Sequence, residues 1–142
     1  MKCEEWDYQG LFLYMEGRLR LPHVVLTGDA TRIDLSQTLV PVSEEKETWF
    51  IKVDDIYVER RGARALMRTV VVEEGHPQTF YILVAKDDTE NRLIIRLDPS
   101  TDPIKTRGVK RSIAVVAEEL MRCRAGFSVE RHNITGYLDS AV

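Results

Sequence analysis

Six strand-like segments run one after another and are closed by a single amphipathic helix, and this order constrains the 142-residue chain more than any motif within it. Strands that follow one another and end in one late helix describe an antiparallel β-barrel or curved sheet with a plug. They do not describe the strand–helix alternation of nucleotide-binding and doubly wound folds. The expected class is therefore mainly β (α+β), with about six to seven strands within about 10–98. One C-terminal helix follows at about 106–124, then an extended tail over 127–142.

The strand assignments come from local pattern. Residues 11–15 (LFLYM) form a short apolar run, and 18–21 (RLRL) alternate before Pro22. Val24-Val25-Leu26 runs into the turn cluster Thr27-Gly28-Asp29, and Arg32-Ile33-Asp34-Leu35 alternates again. Leu39-Val40-Pro41-Val42 reads as an edge or strand end, because proline cannot donate to a central ladder. Ser43 to Glu47 reads as a solvated connection. Residues 49–53 predict a strand that 56–58 extends past a kink at Asp54-Asp55. Three strands at 65–73, 79–85 and 93–97 are joined by Glu74-Gly75-His76-Pro77 and by the polar run 86–91, a meander that points to an antiparallel sheet.

The helix follows from spacing. Val109, Ile113, Val116, Leu120 and Cys123 recur at intervals of 4, 3, 4 and 3, one stripe at helical period, with Glu118, Glu119, Arg122 and Arg124 mostly off it. Asp102-Pro103 offers a cap with proline at the first helical position, and Gly126 a stop. Gly108 costs about 1 kcal/mol relative to alanine inside a helix, so the regular helix is expected to begin after it.

Composition sets the frame for function. A chain of this length makes one domain, 1–142, able to bury roughly 68% of its unfolded surface without staples. A net charge of -3 argues against general or sequence-specific nucleic-acid binding, although it leaves local basic patches open. Cys3 and Cys123 form no disulfide framework, which fits free thiols in a cytoplasmic protein. The N-terminal residues lack a secretory pattern, and no apolar run reaches the length of about 20 residues that a membrane span needs.

No residue cluster predicts catalysis, a metal or a cofactor. His23, His76 and His132 show no metal-ligand spacing and read as surface or turn histidines. Asp54 and Asp55 are adjacent in extended chain, so their side chains point to opposite faces and cannot share a proton. Cys123 reads as a small core residue, the glycines form no phosphate loop, and Trp49 and Tyr57 read as barrel core rather than a stacking platform.

Basic residues are the remainder. Arg60, Arg61, Arg64 and Arg68 crowd the sixties, while Lys105, Arg107, Lys110 and Arg111 crowd the helix start. Cations at a helix N-terminus oppose the helix dipole, a cost offset when an anion or acidic partner binds there. Arg60, Arg61, Arg64, Lys105, Arg107, Lys110 and Arg111 are the candidate binding residues. The alternative is a solvated face balanced by neighbouring carboxylates.

The order of elements resembles the pleckstrin-homology-like superfold, with its GRAM and bacterial members, through residues 24–98. Val24-Val25-Leu26-Thr27 followed by Arg32-Ile33 resembles the entry of such domains. The run 50–59 (FIKVDDIYVE) resembles their strand ending in an Asp-Ile step. A helix and extended segment after such a sheet is similar to the archaeal taxis adaptor family CheF, which links response regulators to the archaeal motor. The chain departs from the pleckstrin-like pattern at 127–142, which extends beyond the helix. The resemblance implies a non-enzymatic interaction or adaptor domain, binding a protein partner or an anionic lipid or ligand through sheet edge, loops or helix start. The competing class is a small-molecule-binding β-barrel or an unrecognised enzyme.

Overall fold

The computed structural model describes residues 21–87, 89–123 and 126–139. The strand expected at 11–15, the alternating residues 18–20, Cys3, Asp88 and Arg124 lie outside them.

Seven strands form one sheet: β1 (His23–Thr27), β2 (Val42–Glu45), β3 (Phe50–Val58), β4 (Arg64–Glu73), β5 (His76–Asp87), β6 (Arg92–Leu97) and β7 (Ser128–His132). Their order across the sheet is β2-β3-β4-β5-β6-β1-β7, and every pairing is antiparallel. The sheet curls into a half-barrel, and the helix α2 (Arg107–Cys123) packs on its inner face. This is the mainly β, sheet-plus-one-helix architecture expected from the element order.

Strand alternation builds the core. In β4 the odd-numbered Ala65, Met67, Thr69 and Val71 are buried while Arg64, Leu66, Arg68 and Val70 are not. Val24, Leu26, Ile51, Phe80, Ile82, Leu93 and Ile95 join them around Val109, Ile113, Val116 and Leu120 of α2. The helical stripe faces inward as expected up to Leu120. Beyond it the last turn leaves the core, and Cys123 is exposed, with its Sγ 3.1 Å from a Glu119 carboxylate oxygen. Its expected core role does not hold.

Three local assignments also change, each for a visible reason. Residues 32–35 are not a strand: a 3-10 turn (Ala30–Arg32) leads into a short helix, α1 (Leu35–Thr38). The Asp29 carboxylate accepts from the Thr31 amide and hydroxyl, and the Asp34 carboxylate does the same for Ser36, so each aspartate caps a turn that competes with extended pairing. Residues 43–45 are not a solvated connection: with Val42, where an edge strand was expected, they form the edge strand β2, paired from Val42↔Val53 to Glu45↔Phe50. The hairpin after β4 uses Glu74 and Gly75 alone, at φ of 51° and 78°, the positive pair that a two-residue turn needs.

The helix start differs as well. Asp102-Pro103 does not cap α2, because 98–106 is drawn along the edge of β5. That edge is open where β6 pairs only from Ile82 onward. There Asp98 donates its N–H to the Tyr81 carbonyl, and the Gln78 side-chain amide both donates to and accepts from the Ile104 backbone. Thr106 becomes the cap, its hydroxyl accepting from the Val109 amide at 3.3 Å. Gly108 lies inside the helix after all. A Cβ there would stand 2.7 Å from Val71 and 2.8 Å from the Glu73 carboxyl carbon, so the residue that weakens the helix is what lets it lie against β4.

Candidate interaction surface

The two basic groups that the sequence singles out do not meet. Arg60, Arg61 and Arg64 sit on the β3–β4 hairpin, with all three exposed. The other end of β4, Glu73, touches the start of α2 through Thr106 and Gly108. Nine strand steps separate Arg64 from Glu73, about 30 Å at 3.3 Å per residue.

At the helix start the cations are answered from within the fold. The Glu73 carboxylate accepts from the Thr106 hydroxyl and from the Gly108 amide at 3.1 Å, so a protein carboxylate fills the place at the helix N-terminus where an external anion was expected. Lys105 lies 3.8 Å from Asp102, and Lys110 lies 5.9 Å from the Tyr137 ring centroid. Arg107 is exposed.

Arg111 points into the fold. Its guanidinium donates to both oxygens of Glu44 (3.0 and 2.8 Å), to both of Glu118 (2.7 and 3.0 Å), and to the Tyr137 carbonyl at 2.5 Å. Its side chain is 14% exposed, against 16% for Glu44 and 7% for Glu118. Trp49 Nε1 donates to Glu44, and the Asp139 amide donates to Glu118. The hydrogen bonds that Arg111 donates to Glu44 are the first cause that holds the Glu44 carboxyl below its ordinary range and the first that raises Arg111. One arginine thus ties edge strand β2 to the segment that follows β7, and closes the half-barrel across α2. Its role is structural, not that of an anion-facing side chain, and Glu118 leaves the polar face of the helix to serve it.

The exposed side chains with binding chemistry gather instead on the outer face of β3–β5. The β3 ladder shifts register between Val53 and Ile56, a bulge at the expected Asp54-Asp55 kink. Beyond it Ile56 and Val58 pack on the core and Tyr57 turns outward, 56% exposed. Tyr57 does not belong to the core, and Trp49 is half-buried at its edge. Tyr57 pairs with Leu66 and Arg68 with Tyr81, and the two tyrosine rings meet over β4 at 6.4 Å and 47°. Phe50, 39% exposed, continues the face on β3. Exposed Lys52 and Arg64 frame it, and Arg68 crosses it to reach Asp54 at 3.3 Å. Asp54 is held below the ordinary carboxylate range first by the Asp55 amide and further by Arg68.

Other chemistry is sparse. His23 is buried rather than superficial, with Nδ1 3.0 Å from the Leu21 carbonyl. Among the described residues no group of three or more His, Cys, Asp and Glu side chains is placed to hold a metal ion, and no helix is long and apolar enough to cross a membrane. A shallow, open cleft between α1, β2 and α2, lined by Leu39, Val42, Met67, Val116 and Leu120, has room for about 10 Å³, the space of a single water.

A tRNA (guanine-N(7)-)-methyltransferase of Thermotoga maritima is 28% identical to this chain over 107 residues, which are 75% of this chain and 32% of that protein. The chain spans about a third of that relative's length. No family model matches the chain, and no solved structure matches it significantly.

Proposed function

We propose that this chain is a recognition module that binds an anionic partner on the outer face of β3–β5. The observation that carries this reading is Tyr57, a large aromatic side chain left 56% exposed beside Tyr81 and among Lys52, Arg64 and Arg68. Exposed aromatic rings interleaved with arginine and lysine supply contact area and charge together, the composition of binding surfaces. The net charge of -3 describes the whole chain, whereas a partner meets the local field of this face. An adaptor role and an anionic ligand, the expectations of the family resemblance, are both compatible with such a face.

Heparin, used as a general polyanion, is expected to bind the parent and to bind more weakly as salt rises, because exposed charges are screened within about 8 Å at physiological ionic strength. Lys52→Glu with Arg68→Glu should abolish binding, and Lys105→Glu with Lys110→Glu should leave most of it. Binding lost only in the second pair would move the site to the helix start and end the proposal.

The relative's name favours a second reading, in which the chain takes part in methyl transfer to guanine in tRNA. Methyl transfer to tRNA by the isolated chain, supplied with a methyl donor, would replace the recognition reading with the enzymatic one.

A further inference from the structure

We infer that the partner of this face is single-stranded RNA, with unpaired bases stacked on Tyr57 and Tyr81 and phosphates held by Lys52, Arg64 and Arg68; the inference rests on the recognition reading above. Three observations point to the same chemistry. The first is the ring pair itself. Tyr57 and Tyr81 stand on strands either side of β4 and lean together over it at 6.4 Å, so their contact forms a raised aromatic ridge rather than a filled core. Bases freed from pairing stack on such rings, whatever their identity, because every base has a π-face. A base-paired stem hides those faces and gains nothing from the ridge.

The second is the charge around the ridge. Arg64, Leu66, Arg68, Val70 and Val72 lie along the outer side of β4, with Lys52 beside Val70. Cations therefore alternate with apolar contact along one strand. A nucleic-acid strand presents that alternation in reverse, phosphates between bases. Asp54 opposes these charges and already orients the Arg68 guanidinium, and exposed Glu45 stands opposite Phe50. The third is the relative, whose name describes a methyltransferase acting on tRNA.

The test is binding of an oligouridylate of about 12 nucleotides, a length in the range that one small nucleic-acid-binding domain covers. Four proteins are compared: the parent, Tyr57→Phe with Tyr81→Phe, Tyr57→Leu with Tyr81→Leu, and Lys52→Glu with Arg68→Glu. Heparin and an RNA duplex of equal charge serve as competing polyanions. Leucine keeps apolar bulk at half-buried Tyr81, so folding is preserved while the π-face is removed, and the melting curve of each variant verifies this. The phenylalanine variant should bind within about twofold of the parent. The leucine variant should bind the oligouridylate at least about tenfold more weakly, with heparin binding unchanged. Oligouridylate binding equal in the leucine variant and the parent would overturn stacking while leaving an anion-binding face. Duplex preferred over single strand would overturn it too. Failure of the parent to bind heparin or either RNA would remove the recognition reading itself.

Discussion

Arg111→Met is expected to lower the unfolding free energy by about 3–5 kcal/mol, because it leaves two largely buried carboxylates without their cation. Among the described residues, Glu44 then keeps the Trp49 N–H donor and Glu118 the Asp139 amide, and the tie between β2 and the segment after β7 is lost. The pH dependence identifies the cause. In the parent, the Glu44 carboxyl is held below its ordinary value of 4.5, first through Arg111. A carboxylate depressed in the folded state contributes stability that is fully present above its unfolded value and is lost as pH falls through the folded one. In the variant the Glu44 carboxyl loses the partner that holds it low and takes up a proton more readily, so acid relieves the variant. The stability gap between parent and variant is therefore widest near neutral pH and narrows as pH drops below 4.5. Replacing the whole cluster, with Glu44→Gln, Arg111→Met and Glu118→Gln together, should recover most of the loss, since no buried charge is then left unpaired. Urea denaturation at pH 7 and pH 4 measures all of this. An Arg111→Met protein as stable as the parent at pH 7 would show that the cluster is ornamental.

Ile113→Asp is expected to cost at least as much and to leave little folded protein. Ile113 is fully buried at the centre of the α2 stripe, where a carboxylate meets aliphatic side chains in place of water. Burial raises a carboxyl pKa by up to 3–5 units from about 3.9, so near pH 7 the group folds largely protonated, and at 1.36 kcal/mol per unit over the roughly three units up to pH 7 the penalty is about 4 kcal/mol, added to the lost packing of the isoleucine. Natural domains have only about 5–15 kcal/mol to lose. Because the folded pKa is raised, the deficit grows as pH rises above the unfolded value and is smallest in acid. Ile113→Val, with one methylene removed, should cost only about 0.5–1.5 kcal/mol. Thermal melts of the three proteins check the order. An aspartate variant that melts like the parent would contradict the packing of α2 on the sheet.

The parts of this fold legible in the sequence are those set by neighbours along the chain. The stripe from Val109 to Leu120 repeats at helical period, the meander 65–97 alternates at period two, and the Asp54-Asp55 kink marks the β3 bulge. What escaped depends on partners far apart in sequence. Arg111 meets Glu44 across 67 positions, and nothing in the local pattern separates it from exposed Arg107 or from Lys110 beside Tyr137. Gly108 looks like a weak helix residue until β4 is laid against it. Glu73 fills the helix N-terminus from 35 positions away, which removes the reason to seek an anion there. The outer face was missed by one residue of register. Without the bulge Tyr57 would share the inward parity of Ile51 and Val53, and only the extra residue at Asp54-Asp55 turns it to solvent. The kink is legible in the sequence, and one extra residue at that point is what places Tyr57 outside.

Amide chemical-shift mapping during titration with the oligouridylate tests the outer-face site most directly. Perturbations should concentrate at Lys52, Tyr57, Leu66, Arg68 and Tyr81, while Lys105, Arg107 and Lys110 near the helix start remain still. Shifts gathered at the helix start, with the outer face of β3–β5 unmoved, would contradict the account.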